Sequence, residues 1–195
     1  MHLLTGTKKS FSASELQRQL GHKRFQPVWE MLHRLRSVMG KRDSQYQLSG
    51  QVEIDNAVIT TLIPEDPKNE KNGRGAGSQR KSKVLVMTES QTVDNSKPTR
   101  PPKKVNHIKM RVVTSRATEI IKEQVDGKQT EIQSDDSTAF KKLKDAAKSH
   151  QTQIIHPEDL PKMFLWVHIC IGNVKRLLLY MHHQLKTEYL QYYPD

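Results

Sequence analysis

The period of the apolar residues changes at Gly40, and no other feature of the chain restricts its fold as much. Before that glycine the spacing is helical. Ser12-Ala13-Ser14-Glu15 has the S-x-x-E spacing of a capping box, with Ser12 as N-cap, Glu15 reaching back, and Phe11 and Leu16 placed for a hydrophobic staple. This predicts a short helix carrying Leu16 and Leu20 on one face and stopping at Gly21. A second helix is predicted from about Gln26 to Met39, with Pro27 in its first turn and Val28, Met31, Leu32, Leu35 and Val38-Met39 as its buried stripe. Past Gly40, Val52, Ile54 and Ala57 alternate with Glu53, Asp55 and Asn56 before the run 58–63, a strand signature rich in β-branched residues.

Further strands are predicted over 82–88 and 105–113, a short helix over 117–125, and a brief strand at Glu131-Ile132-Gln133-Ser134 ending at Asp135-Asp136. A helix over 137–148, a strand at Gln153-Ile154-Ile155 and a strongly apolar helix over 168–185 complete the order. Three strands followed by helix, strand, helix, strand, helix describe an α/β layer architecture. It is the element order of an RNase H-like mixed sheet with flanking helices, here preceded by a small helix-turn-helix. The domain division read from this is 1–45 for the helix-turn-helix segment and 46–195 for the RNase H-like domain.

Charge is distributed as unevenly as period. Lys and Arg number 32 against 21 Asp and Glu, a net charge of +11. Residues 1–42 hold nine of those cations against Glu15 and Glu30, a net of +7, so the other 153 residues share only +4. Such an excess calls for a polyanionic partner, because neutralising phosphates releases condensed counterions. Lys23, Arg24, Arg34 and Arg36 lie around or off the apolar stripe of the second helix, as DNA-binding side chains of a helix-turn-helix would. A plain helical hairpin with a polar outer face has the same pattern. Gly- and Pro-rich basic stretches between Lys68 and Lys104 read as solvated loops around Lys83-Val84-Leu85-Val86-Met87, or as basic loops touching phosphates. The single cysteine, Cys170, excludes a disulfide scaffold and a four-cysteine zinc site, so no zinc site is expected in this chain. No apolar run approaches membrane-spanning length.

Asp55 in the first predicted strand and Asp135 at the end of the fourth lie 80 residues apart. In an RNase H-like sheet those strands are neighbours, and two carboxylates held that close repel unless a cation sits between them, so the pair calls for Mg²⁺ or Mn²⁺. Two such ions can activate a water or 3′-hydroxyl and stabilise the leaving oxygen of a phosphodiester. The same spacing also suits two solvated acids, one on a strand face and one in a turn.

Several blocks together resemble bacterial insertion-sequence transposases of the DDE superfamily. They are Leu4-Thr5-Gly6-Thr7-Lys8-Lys9-Ser10-Phe11-Ser12-Ala13, Leu16-Gln17-Arg18-Gln19-Leu20-Gly21, Ser49-Gly50-Gln51-Val52-Glu53-Ile54-Asp55, the stretch 77–87, Asp135-Asp136-Ser137-Thr138, Trp166-Val167-His168-Ile169 and Asn173-Val174-Lys175-Arg176-Leu177-Leu178. The group resembled is the one whose third acid is often replaced by Asn or His and followed by Lys. The resemblance implies cut-and-join chemistry on terminal inverted repeats and target DNA, with two Mg²⁺ or Mn²⁺ ions. It implies Asp55 and Asp135 as the first two metal-binding acids. For the third position it leaves His168, seven before Lys175, and Asn173, two before it. Lys175, with Arg176, would hold a DNA phosphate. It also implies a bacterial cytoplasmic, nucleoid-associated protein away from membranes, from a group that often acts as dimers.

The chain departs from that group in lacking a cysteine zinc ribbon, in stopping at Asp195 soon after Tyr189-Leu190-Gln191-Tyr192-Tyr193, and in carrying Asn56 where many relatives have a second acid. The expectation is a truncated copy; the alternative is a catalytically dead, transposase-derived DNA-binding protein, or simply a basic nucleic-acid binder. The segment 73–82 lacks the order of a phosphate-binding loop. The adjacent His182 and His183 point to different sides of a helix, Cys170 reads as a buried small residue, and Trp29 and Trp166 read as core.

Overall fold

The computed structural model describes residues 11–61, 81–93, 103–113, 117–135, 140, 143, 147–153, 164–181 and 185–191. Helix α1 (Ala13–Leu20) starts on Ser12, whose side chain accepts the Glu15 N–H at 3.2 Å, and ends on Gly21 in the left-handed region at φ 62°. Glu15 does not reach back. Its carboxylate is held by Arg18 and Gln19, which push its pKa down to about 2. Helix α2 (Phe25–Asp43) runs four residues past the predicted end. Only Val28 and Leu32 are buried, against Leu16 and Phe11. Leu20, Met31 and Val38 of the predicted stripes are exposed, because two short helices offer each other one seam and not two full faces.

Five strands form one sheet in the order β3-β2-β1-β4-β5: β1 (Leu48–Thr60), β2 (Lys81–Thr92), β3 (Lys103–Val113), β4 (Val125–Asp135) and β5 (Ser149–Gln153). The first three are antiparallel neighbours, whereas β4 runs parallel to β1 and β5 parallel to β4. Helix α3 (Ala117–Gln124) bridges β3 and β4, and α4 (Leu165–Met181) and the short α5 (Thr187–Leu190) follow β5. This is the mixed, helix-flanked sheet of the RNase H-like fold. The fourth strand is longer than predicted: Thr130, just before the predicted strand, is fully buried and donates its hydroxyl to the Leu48 carbonyl. Of the helix predicted over 137–148, only 140, 143, 147 and 148 are described, and Phe140 and Leu143 are fully buried. Ile154, Ile155, His182 and His183 lie outside the described residues, as does 73–80.

The sheet is covered on both faces. Val52, Ile54, Leu85, Met87 and Ile132 pack with Ile121 of α3, Phe140 and Leu143 on one side. Ala57, Ile59, Val84, Val86 and Met110 pack with Phe164, Val167, Cys170, Ile171 and Leu178 on the other. That second core lays α4 across β1 and β2, and it decides what the polar residues of β1 can touch. Among the described residues no helix is long and apolar enough to cross a membrane.

Candidate active site

Alternation along β1 puts Glu53, Asp55, Ala57 and Ile59 on the α4 side of the sheet. The parallel register with β4 aligns Ile54 with Ser134, so Asp55 and Asp135 follow one step on, side by side on adjacent strands. Asp55 is half-buried and its Oδ1 accepts the Asn56 N–H at 2.7 Å. Burial pushes its pKa up and the neighbouring Asp135 carboxylate adds to this, while the Asn56 N–H, His168 and Lys175 oppose it. Burial is the larger of the two raising effects; the repulsion between the adjacent carboxylates is what a cation there would relieve.

Helix α4 brings the next group. His168 Nδ1 lies 3.7 Å from Asp55 Oδ2, too long for a hydrogen bond but close enough for attraction when the ring is charged. Its Nε2 is buried with no hydrogen-bond partner among the described residues. Lys175 is seven residues on, about 20° round a helix of 3.6 residues per turn, and so shares the face of His168. It acts electrostatically on Asp55, and with Val58, Ile59, Leu178 and Leu185 it lines a cavity of about 290 Å³. Asn173, five residues after His168, falls about 140° away. Asn173, Lys175 and Arg176 are all exposed, so the rotation round the helix, and not exposure, separates Asn173 from Lys175. The structure therefore brings Asp55, Asp135, His168 and Lys175 to one place and leaves Asn173 outside it.

Glu53 was not among the candidates. It is buried, and its Oε2 accepts the N–H groups of Trp166 at 3.0 Å and Val167 at 2.9 Å, at the start of α4. Burial raises its pKa, against those two N–H groups and the electrostatic influence of Lys103 and His168. The signal in the sequence was the unbroken apolar run Val84-Leu85-Val86-Met87 on the partner strand. A strand apolar on both faces needs cover on both, so an acid on its neighbour lies under a helix.

The DNA-binding candidates of the helix pair are placed differently from one another. Lys23, Arg24 and Arg34 are exposed, and Arg36 is half-buried near His33. Four residues, 21–24, separate the two helices.

Over residues 47–195 the sequence matches the ISXO2-like transposase domain. The chain belongs to that family. It is thus an insertion-sequence transposase of the DDE superfamily, and DNA transposition is the process its family serves. No curated protein and no solved structure matches this transposase. Among the described residues no three His, Cys, Asp or Glu side chains converge closely enough to form a ready-made metal site. The ring nitrogen that faces Asp55 is Nδ1 and not the buried Nε2, so the donors gathered there are two adjacent carboxylates and His168 Nδ1. That set suits a divalent cation, and the imidazole suits Mn²⁺ better than Mg²⁺.

Proposed function

We propose that this transposase cleaves and joins phosphodiester bonds at the ends of its element, with Asp55, Asp135 and His168 as the groups that would hold Mg²⁺ or Mn²⁺. The observation that carries the reading is the β1–β4 register, which sets the two aspartates side by side under the helix bearing His168. A bound pair of divalent ions supplies a polarised oxygen nucleophile and charge stabilisation at the departing oxygen. The chain's own residues supply the rest. Two carboxylates confined by strand pairing need no reorganisation to meet a cation, and His168 offers a neutral nitrogen where many relatives have an acid. One negative charge fewer weakens Mg²⁺ binding. Lys175, on the same face, is placed to take a backbone phosphate of the DNA entering beside Asp55, with Arg176 next to it on the exposed surface.

The α1–α2 pair, residues 1–45 of the division proposed above, is read as a helix-turn-helix with Lys23, Arg24, Arg34 and Arg36 on its DNA side. DNA carrying the terminal inverted repeats and the target is the partner, with a second copy of the chain as the expected companion in synapsis. A second reading, a protein that binds DNA without cutting it, draws on the lack of three converging ligands among the described residues.

The test is nicking of DNA carrying the repeats that flank this coding sequence, with Mg²⁺ and then Mn²⁺. Cleavage should be faster with Mn²⁺. Asp135→Asn and His168→Ala should each lower it at least 10²-fold, and Asn173→Ala by no more than a few-fold, the sizes expected for a lost group of the reacting site and for an exposed one. Equal losses at 168 and 173 would refute the assignment of the third position. Salt-sensitive binding with no nicking by the parent protein would establish the second reading.

A further inference from the structure

We infer that Glu53 is the positioning residue that sets His168 against Asp55, by capping helix α4 from the neighbouring strand. The inference rests on the reading that Asp55 and His168 belong to the reacting site. A helix leaves its first N–H groups without intrahelical partners, and a side-chain oxygen just before the helix ordinarily takes one. Here the residues at that point are Phe164 and Leu165, which have no side-chain oxygen. Phe164 is buried and sits in the left-handed region at φ 54°, a costly conformation for an aromatic residue that persists only where its surroundings dictate it. The missing cap comes from β1. One oxygen of Glu53 accepts both the Trp166 and Val167 N–H groups, and the negative charge faces the positive end of the helix.

The consequence is geometric. His168 is the next residue after Val167, and its own N–H closes the first turn onto the Phe164 carbonyl at 3.1 Å. Glu53 is two residues before Asp55 on the same face of the same strand. A single side chain thus fixes the separation between the strand that carries Asp55 and the turn that carries His168. The reach of the carboxylate, more than its charge, is what this arrangement uses.

Two substitutions separate reach from charge. Glu53→Asp keeps the charge and withdraws the oxygens by one methylene; Glu53→Gln keeps an oxygen at full reach and removes the charge. The measurements are kcat and KM for DNA in the nicking assay, and the imidazole Cε1–H resonance of His168, assigned by its loss in His168→Gln. Glu53→Asp should lower kcat about 10²-fold, the cost of an ångström-scale displacement of a reacting group, with KM unchanged and the resonance moved. Glu53→Gln should stay within a few-fold of the parent, with the resonance in place. A Glu53→Gln protein as inactive as Asp135→Asn would mean that the charge itself takes part in the reaction, and would overturn the inference. So would a Glu53→Asp protein with parental kcat and an unmoved resonance. Should Glu53→Asp fail to fold, amide exchange of Trp166 and Val167 in Glu53→Gln decides: protection is expected, and its loss refutes the cap. If Asp135→Asn cleaves as well as the parent, the reading of the reacting site fails, and the His168 resonance still shows whether Glu53 sets that ring.

Discussion

Asp55, proposed above as a metal-binding residue, works against the stability of the fold that holds it. Its carboxylate is half-buried beside Asp135, and both conditions disfavour the charged form. A group whose pKa is raised by folding stabilises the native state below its unfolded pKa and ceases to do so as pH rises through the folded value. At neutral pH the charge is therefore a net burden on the cation-free protein. Asp55→Asn should raise the melting temperature at pH 7 without metal by roughly 2–4 °C, the shift that about 1 kcal/mol gives a chain of this size. The difference should shrink as the pH is lowered and Asp55 becomes protonated. Divalent cations should stabilise the parent and not the variant. A variant that melts at or below the parent across this range would show that Asp55 is not strained by its surroundings. Lys109 is a second residue that composition would not place inside. It is 2% exposed, with its amine held by the Tyr46 carbonyl and by Gln124 at 3.0 Å, and lying 4.5 Å from the centre of the Tyr46 ring. Burial pushes its pKa down, with Arg111 adding to the effect.

At the level of elements, β1 is the strand on which everything else is assembled, and its first residues are shaped for that. The pairing with β4 shifts between Leu48 and Gly50, and Gly50 occupies the left-handed region at φ 69°. The Ser49 N–H is taken by the Glu89 carboxylate at 2.9 Å; burial works to raise the pKa of Glu89, but this bond together with Asn106 and His107 brings it down. Nothing lies within 4 Å of where a β-carbon on Gly50 would sit, so a side chain there meets strain and not a clash. Gly50→Ala should cost about 1–2 kcal/mol and lower the melting temperature by a few degrees, with Gly50→Asn recovering part of the loss. Calorimetry checks this, and an unchanged transition in Gly50→Ala would mean that the strand accepts another conformation there. The effect belongs to the element because the shift sets the register that later aligns Ile54 with Ser134.

Across the whole molecule, the helix pair is tied to the last helix of the sheet domain. Trp29 and His33 of α2 meet in a tilted pair with ring centroids 4.1 Å apart, and both meet Tyr189 of α5, at 5.8 and 5.4 Å. Gln191, just beyond, bonds both ways to the edge strand β3, accepting the Val112 N–H at 2.7 Å and donating to the Met110 carbonyl at 3.1 Å. The most basic part of the chain is thereby packed against the domain that carries the acid pair. If the exposed cations of the 21–24 turn meet DNA phosphates, each should contribute about 0.9 to the slope of log binding constant against log salt. Replacing Lys23 and Arg24 together with Ala should make that slope shallower by up to about 2. Replacing the exposed Lys122 and Lys128 should leave it unchanged. Equal changes for the two pairs would assign the salt dependence to net charge alone.

By itself the sequence determined what each segment becomes. Capping at Ser12, the stop at Gly21, the helical period to Gly40 and the β-branched alternation after it are local signals, set by contacts within a few residues. They sufficed for the order of the described strands and of helices α1 to α4, and hence for the layer architecture; the helix expected over 137–148 falls mostly outside the described residues. Boundaries were legible where a cap marks them and not where tertiary burial decides them, as with Thr130 in β4. What only the tertiary structure decided is which faces meet. Whether His168 or Asn173 lies beside Asp55 depends on how α4 rotates onto β1, and that rotation follows from packing Val167, Cys170 and Ile171 against Ala57, Ile59, Val84 and Val86, far earlier in the chain. Glu53 and Val167 are 114 residues apart. Periodicity carries no information at that range, because a polar residue on an alternating strand looks the same under a helix as under water. Burial on the second face is a property of the assembled layers, and it changes the role of Glu53 from surface charge to helix cap.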